Sequence, residues 1–527
     1  MRGKSYVKNA ALLTVTGLVL RAAGMMFRVF IAARIGASGM GLYQLIITVY
    51  GLFVTFATAG LPAVAARIVS GLAAQGDLGG LRPSARRMML LASGIGLLGS
   101  AALFFGARAA AALVIGDERA ALSLRILAPS LPFMAASAVV RGCFLALREV
   151  GPNARAQMFE QLLRIGFVAL LLTRISPDDT ALCCAAVVLG NTVSEAASWV
   201  YMFLSWRRRV RCAPPGGKAV PVRGLAKLLG PIAASQYLTS ALHTVENVLV
   251  PARLASFLTD RDEALAQYGA LKGMALPVLF FPFSFLSTLS TLLQPEITRA
   301  YLRKDTARLR TLTARTLRIT LGISVLAGGL FTVYAYEIGR ILYRSEEIGF
   351  YISVLGPLMP LMYLESMVDG LLKGLDRQIA TFRYTVVDSA ARIFLIVVLL
   401  PLFGMKGFLF VMLVSNLLTS LLNLSALLRV TGVRFRAASW LGVPALCAAC
   451  GAFAVRVVAA PLLAAVPSLF IRTCLGGALF SVVYAVMMAA TGGLRFADFR
   501  SGTRPAPDEK KDENFFEKSV DNSGFRW

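Results

Sequence analysis

The sequence is poor in histidine and in acidic residues, and these shortages exclude several kinds of site. His243 is the single histidine among 527 residues, and no serine and aspartate of a shared pocket are indicated to complete a hydrolytic triad with it. The chain also lacks a GxxxxGK[ST] phosphate-binding loop, which excludes nucleotide hydrolysis by that route. We therefore expect a protein that is not an enzyme and has no cofactor.

The seven cysteines form no recognisable disulfide or metal-binding framework. Cys183 and Cys184 lie in an apolar run, as do Cys447 and Cys450, which form a lone CxxC without a second ligand pair or a nearby histidine. We expect buried, unreactive thiols and no metal site.

Apolar residues are abundant instead, at 57% of the chain against the 45–50% typical of soluble domains. They fall into about fourteen runs of roughly 18–25 residues, long enough to cross a hydrocarbon core about 30 Å thick. The expected spans are 10–33, 41–66, 88–107, 121–147, 157–174, 182–206, 225–250, 269–293, 314–336, 350–372, 384–401, 406–428, 441–460 and 470–491. The sequence predicts an all-α polytopic membrane protein with about fourteen transmembrane helices.

The formal net charge of +26 is explained by membrane topology. Lysine and arginine concentrate in loops that share one side of the membrane, for example 81–87, 207–218 and 297–318. This is the positive-inside pattern, and it predicts that both termini are cytoplasmic. No basic patch is interleaved with aromatic residues, so we expect no nucleic-acid partner.

A weak internal repeat predicts two halves of six helices each. FIAARI at 30–35 recurs as LVPARL at 249–254, and a proline and an arginine follow in the next helix of each half. The predicted division is an N-lobe (1–206), a cytoplasmic linker rich in proline and glycine (207–224), a C-lobe (225–430), an appended helix pair (431–491) and a disordered cytoplasmic tail (492–527).

Two arginines interrupt the first apolar run. Arg21 and Arg28 are seven residues apart, so on a helix they lie within about 20° of one face. Such cations require either an acidic partner, for example Glu195 or Glu246, or a water-filled cavity. We favour the cavity, since the N-lobe also embeds Arg141 but has Glu195 as its only clearly embedded acid. The four predicted substrate-binding residues are Arg21, Arg28, Arg141 and Lys272.

The remaining embedded charges have more than one interpretation. Lys272 joins the two arginines in one cavity if helices one and eight face each other, but it could instead snorkel to the interface. Glu246 and Glu195 are candidate sites for ion or proton coupling. Asp388 and Arg392, four residues apart, are expected to form a structural ion pair.

Prolines and glycines within the spans predict helix kinks that serve gating. Bending helices suit alternating access in transporters. The expected kink residues are Gly60, Pro62, Pro277 and Pro282.

Three segments carry a family resemblance: residues 20–69 with their GMGLYQ and GLP motifs, YGALKGMALP at 268–277, and LLQPEITRAY at 292–301. They resemble the polysaccharide-flippase branch of the multidrug/oligosaccharidyl-lipid/polysaccharide (MOP) exporter superfamily. The similarity covers nearly the whole chain and is strongest to the stage V sporulation protein B group, which is related to MurJ-type lipid II flippases. It implies a MATE-like fold of two six-helix lobes plus two helices. It also implies alternating access that moves an undecaprenyl-pyrophosphate-linked saccharide from the inner to the outer leaflet of the bacterial cell membrane.

The resemblance further implies site residues. MurJ-type flippases carry essential arginines in helices one, two and eight. Arg21 and Arg28 match the arginines of helix one, and Lys272 matches the arginine of helix eight. Residues 53–56 contain no matching arginine, and the acidic residue expected at 40–42 is missing. The implied partners are membrane lipids and a lipid-linked anionic glycan, either a peptidoglycan precursor or another polysaccharide unit, and the implied state is a monomer.

Two other functions remain open at this point. A cation-coupled multidrug exporter shares the fold, although a cationic substrate lobe repels cationic drugs. A non-transporting scaffold for cell-wall enzymes is the other. The driving force is open between a Na⁺ gradient, an H⁺ gradient and the membrane potential.

Overall fold

The computed structural model describes residues 2–77, 79–147, 149–176, 179–211, 220–461 and 465–493. Within these ranges every regular element is a helix, which confirms the predicted all-α class. Residues 212–219 of the predicted linker and 494–527 of the predicted tail lie outside the described residues.

The N-terminal half, here residues 2–211, consists of helices α1 to α7 in the described ranges. They are α1 (Arg2–Thr58), α2 (Leu61–Ala74), α3 (Leu81–Ala109), α4 (Ala120–Leu127), α5 (Ser130–Ala146), α6 (Val150–Leu172) and α7 (Thr180–Val210). α1 contains the first two predicted spans as two arms that meet at Gly36 (φ 70°, ψ −177°), a conformation that favours glycine.

Gly60 and Pro62 lie where α1 meets α2, within the candidate membrane span Val19–Ala74. The predicted second span runs to residue 66, but α1 ends at Thr58 and the chain turns at Gly60, whose φ is 72°. Pro62 then lies in the first turn of α2, where a missing backbone N–H costs no hydrogen bond.

The C-terminal half, here residues 220–431, consists of helices α8 to α16 in the described ranges. They are α8 (Val222–Leu258), α9 (Arg261–Tyr268), α10 (Leu276–Phe280), α11 (Phe283–Leu302), α12 (Thr306–Val333), α13 (Ala335–Tyr343), α14 (Glu346–Leu355), α15 (Met359–Gly374) and α16 (Gln378–Thr431). α16 contains two predicted spans that meet at Gly404 (φ 56°, ψ −139°). A π-helical segment, Gly269–Ala275, joins α9 to α10.

Pro282 stands at a helix end, whereas Pro277 lies just after the π-helical segment in a stretch that stays helical from α9 to the end of α10. Pro277 lies in the first turn of the five-residue helix α10, and Pro282 precedes the first residue of α11. The predicted eighth span, 269–293, therefore comprises the π-helical segment, α10 and the first part of α11. The gating role of these prolines stays a prediction.

Two further helices follow: α17 (Val443–Phe453), flanked by π-helical turns, and α18 (Leu469–Ala490). They pack against α12, where the Tyr484 hydroxyl donates a hydrogen bond of 2.7 Å to the Gly322 carbonyl. Phe480 is fully buried at this contact and leaves no room for a side chain at Gly329, since a Cβ there would lie 2.8 Å from its ring.

Eight helices in the described ranges are long and apolar enough to cross a membrane, or nine if the bent pair α4–α5 counts as one span. Two of the eight contain the breaks at Gly36 and Gly404 and so hold two predicted spans each. The chain is a multi-pass membrane protein. The total of fourteen spans and the lobe boundaries stay predictions.

Glycines allow the two halves to meet without intervening side chains. A Cβ on Gly41 of α1 would lie 2.0 Å from the carbonyl oxygen of Leu265, and one on Gly269 would lie 2.1 Å from that of Ala37. The second arm of α1 therefore packs directly against the backbone of α9 and of the π-helical segment. The two halves are therefore in direct backbone contact at this point.

Candidate functional site

The larger cavity has a volume of about 560 Å³ and lies between both arms of α1 and helices α5, α6, α7, α10 and α11. Four charged side chains line it: Arg21, Arg28, Arg164 and Glu195. The other lining residues are Gly24, Met25, Phe27, Ile31, Met40, Tyr43, Ile47, Tyr50, Met134, Gln161, Asn191, Pro277, Phe280, Phe281 and Ser284. The volume falls within the range of about 300–1,000 Å³ typical of small-molecule sites.

Arg21 and Arg28 both line this cavity, as their spacing predicts. Arg21 donates hydrogen bonds to the Ser284 carbonyl and, at 2.8 Å, to the Ser287 hydroxyl, and so joins the first arm of α1 to α11. Arg28 lines the cavity and makes no ion pair and no hydrogen bond with the described residues. Neither arginine is paired with Glu195 or Glu246 in the described part of the chain.

Arg141 does not line the cavity, contrary to its predicted place there. Its Nη2 atom lies 3.2 Å from Oε2 of Glu160, so it already has an acidic partner. The expectation that Glu195 is the only embedded acid of this half overlooked Glu160, which lies in α6 with its side chain 13% exposed.

Arg164 also lines the cavity, although it is not among the residues predicted from the sequence. Its Nη2 atom lies 2.7 Å from Oε1 of Glu160 and 3.8 Å from Oε1 of Glu195, and its Nε donates to the Ser194 hydroxyl at 3.3 Å. The i, i+4 spacing of Glu160 and Arg164 inside the predicted span 157–174 was the available signal. Arg164 therefore lines the cavity and at the same time links two carboxylates of α6 and α7.

A second, smaller cavity of about 160 Å³ lies wholly among elements of the C-terminal half. Its polar and charged lining residues are Glu246, Asn247, Lys272, Arg392 and Asn416. Phe280 lines both cavities and therefore forms part of the wall between them.

Lys272 lines the smaller cavity and not the larger one, so the predicted grouping with Arg21 and Arg28 is wrong for this conformation. It lies in the π-helical segment, and its Nζ atom is 5.9 Å from the centre of the Phe408 ring. The wider turns of a π-helix change the direction of the side chains that follow, which a helical projection with 3.6 residues per turn does not reproduce.

Arg392 organises the charges of the C-terminal half. Its guanidinium contacts Asp388 at 2.8 Å, Glu246 at 3.3 Å and the Ser415 hydroxyl, which in turn donates to Asp388 at 2.6 Å. The predicted Asp388–Arg392 pair is confirmed. Glu246 is also held by His243 at 3.4 Å, while its other oxygen, Oε1, is buried without a hydrogen-bond partner in the described ranges.

A cluster of charges joins the loop before α4 to the first turn of α9. We call its members, Asp117, Arg119, Arg261 and Asp262, the inter-half cluster. Arg119 Nη2 contacts Asp117 at 2.7 Å and Asp262 at 2.5 Å, and Arg261 donates to the carbonyl of Ile115 at 2.7 Å. Burial by itself would raise the pKa of Asp117, but the hydrogen bonds and charge of Arg119 outweigh it and hold that pKa below its ordinary value. The same contacts raise the pKa of Arg119.

The sequence is similar to one protein family and to several bacterial proteins. Residues 6–284 match the family described as "Polysaccharide biosynthesis protein". Stage V sporulation protein B of Bacillus subtilis (strain 168) is 26% identical over 449 residues, which are 83% of this chain and 86% of that protein. Lipid II flippase MurJ of the same organism is 22% identical over 214 residues, covering 38% of this chain and 39% of its own.

Solved structures share the fold. Lipid II flippase MurJ in an inward closed conformation superposes with a TM-score of 0.69 at 14% identity, covering 91% of this chain and 99% of that one. A multidrug resistance MATE family transporter of the MOP superfamily, inward-facing, gives a TM-score of 0.64 at 11% identity, covering 80% of this chain and 98% of its own. The family model spans more than half of the sequence, so the chain belongs to the polysaccharide biosynthesis protein family.

Proposed function

We propose that this protein moves a lipid-linked saccharide from the inner to the outer leaflet of the bacterial cytoplasmic membrane, and that it binds the pyrophosphate of an undecaprenyl-pyrophosphate carrier in the larger cavity. The observation that carries the proposal is the pair Arg21 and Arg28 on one wall of that cavity, with Arg28 unpaired among the described residues. A guanidinium fork matches phosphate oxygens in geometry and charge.

The dimensions of the cavity support a head group and not the whole lipid. A volume of about 560 Å³ accommodates a pyrophosphate and adjoining sugar, whereas the polyprenyl chain remains in the bilayer. Apolar residues such as Met25, Phe27 and Ile31 share the wall with the arginines. The cavity can therefore contact both the charged and the apolar part of an amphipathic ligand.

The transport cycle needs no covalent chemistry. Alternating access exposes the cavity first to one leaflet and then to the other, driven by an H⁺ or Na⁺ gradient or by the membrane potential. One chain supplies both halves that surround the ligand, so a monomer suffices. The positive-inside pattern of the loops supports cytoplasmic termini.

Reconstitution in liposomes tests the proposal. A fluorescent undecaprenyl-pyrophosphate-linked monosaccharide is placed in both leaflets, and its movement is followed by chemical quenching from outside. We expect the wild-type protein to translocate the probe, and the double variant Arg21→Ala, Arg28→Ala to fall to the rate of protein-free liposomes.

Arg34→Ala is the matched control, because Arg34 lies on the same helix but lines neither cavity. It should retain wild-type rates. Equal rates in the wild type and the double variant, with both proteins inserted, would contradict the proposal. Transport of a cationic drug with no movement of the lipid probe would favour a multidrug exporter instead.

A further inference from the structure

Arg164 is the third arginine on the wall of the larger cavity, and it approaches from α6, whereas Arg21 and Arg28 approach from α1. A single atom of its guanidinium, Nη2, contacts both Glu160 and Glu195. Those two contacts differ in strength: 2.7 Å to Glu160 is a charge-assisted hydrogen bond, but 3.8 Å to Glu195 lies beyond hydrogen-bond distance.

The two glutamates are unequally supported. Glu160 has a second guanidinium partner, Arg141 at 3.2 Å, whereas the one ion pair of Glu195 in the described ranges is the long contact with Arg164. Their side chains are 13% and 12% exposed, so neither is well hydrated. If Arg164 moves into the cavity, Glu160 keeps a partner and Glu195 loses its own.

The two carboxyl groups lie on either side of one guanidinium nitrogen, since Oε1 of Glu160 and Oε1 of Glu195 both contact Nη2 of Arg164. Neighbouring carboxylates repel one another once the cation between them is withdrawn. The repulsion favours a proton on Glu195, because Glu160 keeps Arg141 as a partner.

We propose that Arg164 is a third phosphate-binding group, which leaves Glu195 for the ligand when an anion enters the larger cavity, and that Glu195 takes up one proton from water in exchange. The inference rests on the proposed function, since it requires an anionic ligand in that cavity. No bond to carbon or phosphorus changes. The exchange moves one guanidinium and adds one proton to a carboxylate, which couples ligand capture to proton uptake.

The other groups around Glu195 do not replace the lost guanidinium. Arg141 remains on Glu160, and Tyr50 of α1 is committed to Ser130, at 2.5 Å, and to Met134. Asn191 of α7 is uncharged. Arg21 and Arg28, the remaining cations of the cavity, are engaged by the same anion. A poorly hydrated carboxylate without a counter-ion is costly to bury, and protonation removes that cost.

Isothermal titration calorimetry with farnesyl pyrophosphate as the probe tests the exchange. The purified full-length protein is titrated at pH 7 in two buffers that differ in ionisation enthalpy, which gives the number of protons bound per ligand. We expect the wild type to take up about one more proton than Glu195→Gln, a variant of the same size that cannot be protonated there. The protonation of the free probe is common to both and cancels.

Arg164→Gln should weaken binding of the probe about tenfold, because a charge-assisted hydrogen bond to phosphate is lost, and should also abolish the extra proton. Equal proton uptake by the wild type and Glu195→Gln would overturn the inference. Where Arg164→Gln does not fold, the comparison of the wild type with Glu195→Gln decides alone.

The double variant Arg21→Ala, Arg28→Ala separates this inference from the proposed function. If that variant binds the probe as tightly as the wild type, the proposed function fails and the inference fails with it. If it loses binding while Arg164→Gln binds normally, the inference alone is wrong.

Discussion

Arg119 lies 2.5 Å from Asp262, and this ion pair joins the loop before α4 in the N-terminal half to the first turn of α9 in the C-terminal half. Gly116, with φ 73°, makes the neighbouring contact possible, since a Cβ there would lie 2.4 Å from the guanidinium of Arg261. The glycine contacts between α1 and α9 join the same two halves. Separation of the halves here requires all of these contacts to break.

Loss of the ion pair should favour separation of the halves. Asp262→Asn removes the pair. Both side chains are substantially exposed, and an exposed pair stabilises by at most about 1 kcal/mol. We therefore expect the population with separated halves to rise by at most about fivefold. Spin labels in the loops before α4 and α9 measure the distance. Glu263→Gln, which removes a neighbouring exposed charge, should leave the distribution unchanged.

The Asp117–Arg119 contact should be insensitive to pH through the neutral range. The folded pKa of Asp117 lies below its ordinary value of 3.8, so its contribution to stability is complete above that value and is lost as the pH falls through the lower, folded value. The same label distances should stay constant from pH 8 to pH 5 and lengthen only in stronger acid. In Asp117→Asn this acid dependence should become weaker, because the carboxylate of Asp262 still pairs with Arg119 across the halves; a midpoint near neutrality in the wild type would contradict the assignment.

Gly41→Ala should disrupt the packing of the halves. The added carbon would lie 2.0 Å from the backbone oxygen of Leu265, so α1 and α9 must move apart, and we expect a loss of about 1–3 kcal/mol, measured by thermal unfolding in detergent. Gly51→Ala is the matched control on the same arm of α1, where nothing lies within 4 Å of the added carbon. It should be neutral or stabilising by up to about 1 kcal/mol.

Arg392→Met should destabilise the C-terminal half strongly. It leaves Glu246, 4% exposed, and Asp388, 5% exposed, without their guanidinium, and breaking a buried pair of this kind costs about 3–5 kcal/mol. Lys373→Met removes a cation from a pair whose lysine is 53% exposed, so it should change stability by less than about 1 kcal/mol. Equal thermal stability of the two variants would show that Arg392 is not a structural centre.

The sequence predicts the helices and the local charge pairs well, because both depend on short-range periodicity. The seven-residue spacing of Arg21 and Arg28 correctly indicates one cavity, and the four-residue spacing of Asp388 and Arg392 correctly indicates an ion pair. Each inference uses residues of a single helix, for which the geometry is known in advance.

Contacts between helices were harder to predict. Glu160 pairs with Arg141 across two helices, which no periodicity within one helix reveals. Lys272 faces the smaller cavity because a π-helical segment carries it, and nothing in GALKGMA distinguishes that geometry from an α-helix. Pro62, Pro277 and Pro282 look alike in sequence whether they kink a helix or begin one.

Phe280 has a consequence for thermodynamic linkage, because one ring is part of the wall of both cavities. A ligand that displaces this ring from the larger space changes the volume of the smaller one, where Lys272, Arg392 and Glu246 lie. Occupancy of the two spaces is then energetically coupled even though their ligands never touch. By thermodynamic reciprocity, an occupant of either space changes the affinity of the other space for its own occupant by the same factor.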